Sequence, residues 1–508
     1  MAHCAKVRGK KWSIINGLVV FGLLGYLGCT PKVNDANTLI VGLEAYPQQL
    51  DPRLSTEANT SKINHLIYNG LFQINNKLEI TPDLALDYQI KNDKDVYVTL
   101  KPGIFFHNQE PLTPADVMAT YQSLKKNGSP HQQIWDKLEK IEQTGPNSIR
   151  FVLKESFAPI LVALCFPILP QSVAENTRFT PVGTGPFKFV EKTEGEKIVL
   201  ERATETELNH PKKIVFRTIT DDNLRTLELL KGRIDLVQNS LPTLLIPTLK
   251  DLPLSQDMGV NFAYLGLNLK DPILKNPLVR QAINDAIDRE SLIRYKINGM
   301  AKGATSLLSP QNPYHLNSLT PIPYNPQKAM ELLDQAGFRD PDGDGPQMRF
   351  KLVYKTSSKK DRIDMALLVA SFLRKVGIDV DVRSYEWGTF FRDIRTGHFQ
   401  MYSLTWVGVT DPDIYYYAFG SSQIPPIGAN RGYYENKFLD DLLVKGRLHF
   451  DFQTRQSIYN QVQQIIFDDL PIIPLWYENN WVVTQKNVKG YSLRPDAGFQ
   501  NLTHIVKE

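Results

Sequence analysis

The chain of 508 residues is 42% hydrophobic and 22% charged, too rich in Phe, Tyr, Leu and Ile to be disordered and long enough for about three domains at ~150 residues each. Three cysteines exclude a disulfide scaffold and a Cys-rich zinc protein, and 33 prolines with 31 glycines argue against coiled coils and helical solenoids. Of 58 Lys and Arg, four (Lys6, Arg8, Lys10 and Lys11) lie in residues 1–28 with no acid; the remainder equals the 54 acids, so the body has no global pull toward nucleic acid or an anionic membrane.

From the N-terminus, the basic stretch Lys6–Lys11 precedes Ile14–Leu27, mostly apolar but carrying Asn16 and three glycines. That is short of the ~20 residues a spanning helix needs and suits the h-region of a signal peptide. It ends in Tyr26-Leu27-Gly28-Cys29. A small residue before Cys resembles the lipobox of bacterial lipoproteins, although Tyr26 departs from the usual aliphatic residue. The resemblance implies that residues 1–28 are a lipoprotein signal peptide, that Cys29 is diacylated, and that residues 29–37 are a tether; two acyl chains hold a protein stably on a membrane. The alternatives are an uncleaved anchor and a plain secretory signal. No other segment reaches ~18 apolar residues. Cys165 lies in the apolar run Ile160–Leu169 and reads as a buried core thiol.

Thr38–Leu43 (TLIVGL) reads as a buried strand. Thr113-Pro114, Asn276-Pro277 and Asn325-Pro326 each set an N-cap residue before a proline at the first helical position. Apolar residues at near-helical period predict helices over Leu278–Ile293, over Ala329–Ala336 closed by Gly337, and over Asp361–Val376 stopped by Gly377. Ile378–Val382 alternates as a half-exposed strand. Interleaved helices and strands indicate α/β or mixed α+β.

Enzyme motifs are missing. Gly183-Thr184-Gly185 lacks the spacing of a phosphate loop or dinucleotide fingerprint, and neither HExxH nor G-x-S-x-G occurs. Asp340–Gly345 carries the first half of an EF-hand loop, but its twelfth position is Lys351 rather than the Glu the ion needs, so a polar turn is expected there. No two histidines stand at i, i+4 and no Cys/His cluster exists. The sequence calls for no metal, no cofactor, no catalytic residue and no nucleic-acid partner.

A series of short motifs, in order, carries a resemblance. Leu50-Asp51-Pro52 is followed by Ile67–Phe72 (IYNGLF), Val98–Asn108 (VTLKPGIFFHN), Pro111–Val117 (PLTPADV) and Gly183–Phe187 (GTGPF). Then come Val279–Ala282 (VRQA) with Ala286–Arg289 (AIDR), and Tyr324-Asn325-Pro326 with Ala336-Gly337-Phe338. Together they resemble extracytoplasmic solute-binding proteins of the oligopeptide/dipeptide/nickel class, family 5, which feed ABC importers. The resemblance covers nearly the whole mature chain. It implies an α/β fold of the type II periplasmic-binding-protein kind, a bilobal cleft with an extra third lobe, built of mixed sheets with flanking helices. Lobe I is expected at 33–70, 178–268 and 485–508, lobe II at 71–177 and lobe III at 269–484. The ligand lies between lobes I and III, which close by a hinge.

By motif position the resemblance also implies ligand-binding residues. Thr56 and Ala58 follow Leu50-Asp51-Pro52; Tyr264 and Asn268 sit on the strand Phe262–Leu269; Trp476 and Glu478 follow Pro471–Pro474; Thr405 and Trp406 open the segment that holds Asp411. In the family an acidic residue three after the Trp anchors a peptide amine. Here that place is Val409, and Asp411-Pro412-Asp413 follows. Either Asp411 moves inward and takes the amine, or the anchor is gone; Asp-Pro and Pro-Asp pairs also form turns on their own account. Tyr415-Tyr416-Tyr417 with Phe419 is either a pocket wall or an ordinary core helix. The expected function is capture of peptides or similar elongated polar solutes, with ABC permease subunits and, through the lipid anchor, a cell-envelope membrane as partners. The alternative is an exported envelope interaction or signalling protein that kept the fold without transport.

Overall fold

Thr38–Leu43 is a strand as expected, and it lies inside a mixed sheet of eleven strands. Across that sheet the order is Ile378–Tyr385, Phe350–Ser357, Met401–Trp406, Leu254–Leu267, Ile472–Thr484, Leu236–Gln238, Thr38–Leu43, Lys213–Thr218, Lys197–Arg202 and Phe187–Thr193, with Ala301–Gly303 added on Ile472–Thr484. The computed structural model describes residues 36–125, 129–176, 179–205, 210–343 and 345–508. The signal segment, Cys29 and all but the last two residues of the tether lie outside the described residues, as does Asp344. No helix among the described residues is long and apolar enough to cross a membrane.

Two long antiparallel strands join the halves of the sheet. Leu254–Leu267 and Ile472–Thr484 pair along most of their length, but the register shifts between Met258 and Phe262 and again between Ala263 and Tyr264. Such irregularities bend a strand and re-aim its side chains. Gly259 sits in the first of them, where an added Cβ would come within 2.6 Å of the Glu478 carbonyl oxygen; no larger residue fits without moving that backbone.

The expected caps form. Asn276 accepts from the Leu278 N–H at 3.0 Å and Asn325 from the Lys328 N–H at 3.0 Å, while Asp116 accepts from the Thr113 N–H at 2.7 Å. Helices run Pro326–Gln335 and Lys360–Arg374, and Gly377 terminates the second with a φ of 85°. The single helix expected over Leu278–Ile293 is instead broken: Pro277–Asp285 ends, and Asp288 caps a new turn by accepting from the Ser291 N–H. After the break the buried Arg289 guanidinium donates to the carbonyls of Asn284, Ile287 and Pro474.

Four large apolar clusters follow these elements. One, including Leu39, Val41, Phe187 and Phe216, fills the half-sheet around Thr38–Leu43. Two more cover opposite faces of the other half: Leu265, Ile283, Leu333 and Val369 on one, Phe262, Tyr415, Leu443 and Tyr459 on the other. The fourth draws its buried members from Leu71 to Ile168 and packs a four-stranded antiparallel sheet, ordered Ala85–Lys91, Asp95–Leu100, Ser148–Leu153, Leu138–Gly145. This inserted module touches the far half-sheet: the Ala158 N–H donates to the Arg447 carbonyl at 2.7 Å, and the Ser156 hydroxyl to the Leu448 carbonyl.

The C-terminus is locked to the first strand. Lys507 Nζ lies 3.0 Å from Asp235 Oδ2, with side-chain exposures of 0% and 2%, and donates to the Thr38 carbonyl at 2.7 Å. Asp235 also accepts from the Ile40 N–H at 2.8 Å. Removing one member of such a pair strands a buried charge, at a cost of about 3–5 kcal/mol. Lys507→Met is therefore expected to lower stability by about 3 kcal/mol or more in urea denaturation, and adding Asp235→Asn to recover part of it; a near-neutral Lys507→Met would show that the pair is not a structural lock.

Candidate functional site

Strand geometry divides the candidate residues before any ligand is considered. Successive side chains on a strand point to opposite faces. Phe262 and Tyr264 therefore join the apolar cluster on one face, with Trp406 and Tyr477, while Ala263, Leu265 and Trp476 join that on the other. Thr405 goes with Glu478: its hydroxyl donates to Glu478 Oε1 at 3.4 Å, and Asn261 Nδ2 donates to Glu478 Oε2 at 3.2 Å. The Gly408 N–H in turn donates to Asn261 Oδ1 at 3.1 Å. Asn261, set in the strand irregularity, thus ties the segment after Trp406 to the Glu478 carboxylate.

Glu478 and Trp476 line a cavity of about 740 Å³, together with Asn239, Asn261, Lys296, Asn479 and Trp481. Thr56 and Asp411 line a second, of about 610 Å³. Its walls come from three places: Pro52–His65 of the first half-sheet, His131, Ile134, Phe157, Val162 and Phe166 of the inserted module, and Asp411, Asp413 and Arg447 of the far half. His65, Ile74 and Cys165 also line a third chamber of about 310 Å³ beside Arg494, Asp496 and His504. Apolar walls with a few placed polar groups are what small-molecule sites require.

Asp411 and Asp413 are both engaged. Asp413 Oδ1 lies 2.7 Å from Arg447 Nε, and Asp411 Oδ1 lies 3.6 Å from Arg455 Nη2 while accepting from the Asp413 N–H at 2.8 Å. The Asp411–Asp413 stretch forms the turn into the helix Ile414–Phe419. Burial is the main influence on Asp413, pushing its carboxyl up to about 6, with Asp411 adding to the rise and Arg447 opposing it. Burial also opposes the charge of Arg455, but Asp411 and the Tyr314 and Tyr459 hydroxyls outweigh it and hold the guanidinium more firmly protonated than usual. Burial lowers the His65 imidazole, partly offset by Asp496.

The remaining candidates disperse. Tyr264 is buried, stacked on Trp406 with ring centroids 6.4 Å apart, and both border a void of about 20 Å³. Asn268 lines none of these spaces; its amide donates to the carbonyls of Gly397 and Phe399, and its oxygen accepts from the Lys270 N–H. Ala58 begins the helix Ala58–Ile67, exposed and outside the cavity linings. Of the aromatic run, Tyr415 and Phe419 are core, Tyr416 lies 3.8 Å beneath the Arg447 guanidinium, and Tyr417 meets Trp406 edge-on. Cys165 departs from the core position expected of it. It is half-buried, lines two chambers, and its thiol is pushed up to about 12 by burial. The apolar run around it signals burial without signalling that a cavity opens there. Asn261, Arg431, Arg447 and Phe157 were not marked by any motif; all are placed by contacts far apart in the chain. Among the described residues no group of three His, Cys, Asp or Glu is arranged to hold a metal ion.

The raised Asp413 carboxyl has a signed consequence. A group that binds its proton more tightly in the folded state than in the unfolded, where the ordinary value is 3.8, stabilises fully below that value and loses the contribution as pH rises through about 6. Compared with Asp413→Asn, the native chain is expected to lose stability between about pH 3.8 and 6 in urea titrations; a difference that does not move with pH refutes the assignment.

Comparison with known proteins agrees with this architecture. Oligopeptide-binding protein AppA of Bacillus subtilis is 28% identical over 504 residues, covering 93% of this chain and 92% of that protein. The structure of AppA in complex with a nonapeptide superimposes with a TM-score of 0.75 at 27% identity, covering 93% and 99%. The ABC transporter-associated periplasmic binding protein DppA of Helicobacter pylori, in complex with peptide STSA, gives 0.74 at 28% identity, covering 93% and 98%. The mixed α/β fold expected from the motif series is the fold of these proteins. The model for the middle region of bacterial extracellular solute-binding proteins, family 5, matches residues 79–425, and the chain belongs to that family.

Proposed function

We propose that the chain is the solute-capturing component of an ABC importer, taking peptides or similar elongated polar solutes without covalent chemistry. The observation that carries this reading is the position of the cavities: one borders the strands that join the halves of the sheet, and the other is walled by both halves and the inserted module. Residues 33–70, 178–268 and 485–508 then act as lobe I, 71–177 as lobe II and 269–484 as lobe III. The bulged strands Leu254–Leu267 and Ile472–Thr484 serve as the hinge. A ligand touching both halves favours the arrangement in which they approach, and shifts the balance by its differential affinity. The relatives whose structures contain peptides support peptides as the class. Thr56, Trp406, Asp411, Trp476 and Glu478 are the residues proposed to face it, with Thr405 positioning Glu478.

In this reading Cys29 carries the lipid and tethers the protein to an envelope membrane facing the periplasm or exterior. Mass spectrometry of the mature N-terminus tests that part by itself.

Two outcomes are expected. First, a random peptide pool of four to nine residues raises the melting temperature and makes the particle more compact in solution scattering; ligand at a hundredfold its Kd stabilises by about 2.7 kcal/mol. Neither response to any fraction of the pool would end the capture reading. Second, Trp406→Ala weakens binding of the retained peptides by about tenfold or more, as expected of an aromatic anchor, with the native circular dichroism preserved. Unchanged affinity would remove Trp406 from the site.

A further inference from the structure

The two halves of the sheet hold the inserted module very unequally. Its chain comes from the helix Ala58–Ile67 and goes on to the strand Phe187–Thr193, both packed in the first half's apolar cluster. Polar contacts reinforce that side. Asn69 Nδ2 donates to Asp83 Oδ2 at 2.8 Å, the Thr184 hydroxyl to Asn69 Oδ1 at 3.0 Å, the Ser129 hydroxyl to the Arg53 carbonyl at 2.8 Å, and the His107 N–H to the Gly183 carbonyl at 2.9 Å. Gly183 lies so close to the helix that an added Cβ would come within 2.1 Å of the Ile67 carbonyl oxygen. The module is thus built onto the first half.

Toward the far half the module has no chain connection, and among the described residues two hydrogen bonds span the seam. These are the bonds from the Ala158 N–H to the Arg447 carbonyl, at 2.7 Å, and from the Ser156 hydroxyl to the Leu448 carbonyl. Half-buried Phe450 packs against the module's apolar cluster. The Arg447 guanidinium lies between rings from both sides, 5.0 Å from the Phe157 centroid and 3.8 Å from that of Tyr416, with Asp413 Oδ1 2.7 Å from its Nε. Phe157, Asp413 and Arg447 line the 610 Å³ cavity, whereas Ser156, Leu448 and Phe450 line neither it nor the 740 Å³ one. The seam therefore runs beside the cavity wall and shares residues with it. A net hydrogen bond shifts an equilibrium by about two- to tenfold, so a seam of so few contacts breaks and re-forms readily.

We propose that Ser156–Ala158 and Arg447–Phe450 form a latch, which holds the module against the far half while the 610 Å³ cavity is filled and sets how slowly the solute leaves. The proposal rests on the capture reading above. When the far half swings away, a module built onto the first half goes with the first half, and the seam has to part. Its contacts exist only in the arrangement in which the halves approach, so they bias that arrangement and add to what the solute itself supplies. Ser156 and Phe450 reach this balance without bordering either cavity. Their loss acts on opening, hence on the dissociation rate, and leaves the encounter with the open cleft unchanged.

The test loads the purified full-length mature chain with an isotope-labelled random pool of peptides of four to nine residues, chases it with the unlabelled pool, and follows retained label by mass spectrometry. Ser156→Ala combined with Phe450→Ala is expected to lose label about tenfold or more faster than the wild type, at an unchanged rate of uptake. Ser156→Ala alone removes one hydroxyl and leaves the module's apolar cluster whole; it is expected to fall between, by about two- to tenfold, and decides the matter if the double variant does not fold. Loss at the wild-type rate in the folded variants, or slower uptake with unchanged loss, overturns the latch and leaves peptide capture standing. A wild type that takes up no label brings down both.

Discussion

Backbone pairing between Leu254–Leu267 and Ile472–Thr484 constrains nearly everything else. Buried backbone donors and acceptors must be satisfied, so the halves of the sheet stay joined through this ladder, which is irregular where it borders the larger cavity. That place lies around Gly259 and Asn261. Its consequence is local as well as global. The bulge turns Asn261 so that one side chain bonds both the Glu478 carboxylate and the Gly408 N–H. A bend at these strands therefore cannot leave the 405–413 segment or the larger cavity untouched.

Beside the second cavity carboxylates and guanidinia leave water in pairs, Asp411 with Arg455 and Asp413 with Arg447, whereas Glu478 in the larger cavity is held by Thr405 and Asn261. Asp411, Asp413 and Arg447 line the second cavity, and Arg455 meets Asp411 from behind that wall. Even so, burial pushes the Asp413 carboxyl up to about 6, with the nearby Asp411 carboxylate adding to the rise and Arg447 opposing it. Arg431 has no carboxylate partner among the described residues; the Tyr264 and Tyr402 hydroxyls and the Trp406 and Phe391 rings face its guanidinium instead.

Local signals in the sequence were read well, and long-range ones were not. Asn276-Pro277 and Asn325-Pro326 mark helix starts because the cap and the proline act on their own turn. The apolar run that marks Thr38–Leu43 as a buried strand is likewise complete within the strand. The helix expected over Leu278–Ile293 is broken where Asp288 caps a new turn, and Arg289 beyond the break bonds the Pro474 carbonyl, a partner on which periodicity carries no information. The site shows the same limit more strongly. Motif position brought Thr405, Trp406, Trp476 and Glu478 to the sheet junction, yet not the split of Thr405 and Trp406 between faces, which depends on register. Asn268 was a reasonable strand candidate, but its amide is spent on Gly397 and Phe399. Arg431 looks like any loop arginine until Tyr264 is folded against it.

The departure at Val409 gains a physical meaning in this setting. Val409 is buried at 4% in the apolar cluster that holds Tyr415 and Tyr459, where a carboxylate would be desolvated without a partner. The acidic group appears two residues later, at Asp411, where Arg455 meets it and the 610 Å³ cavity begins. A free amine arriving there would compete with an arginine already in place, and an ion pair that must first be broken contributes little net affinity.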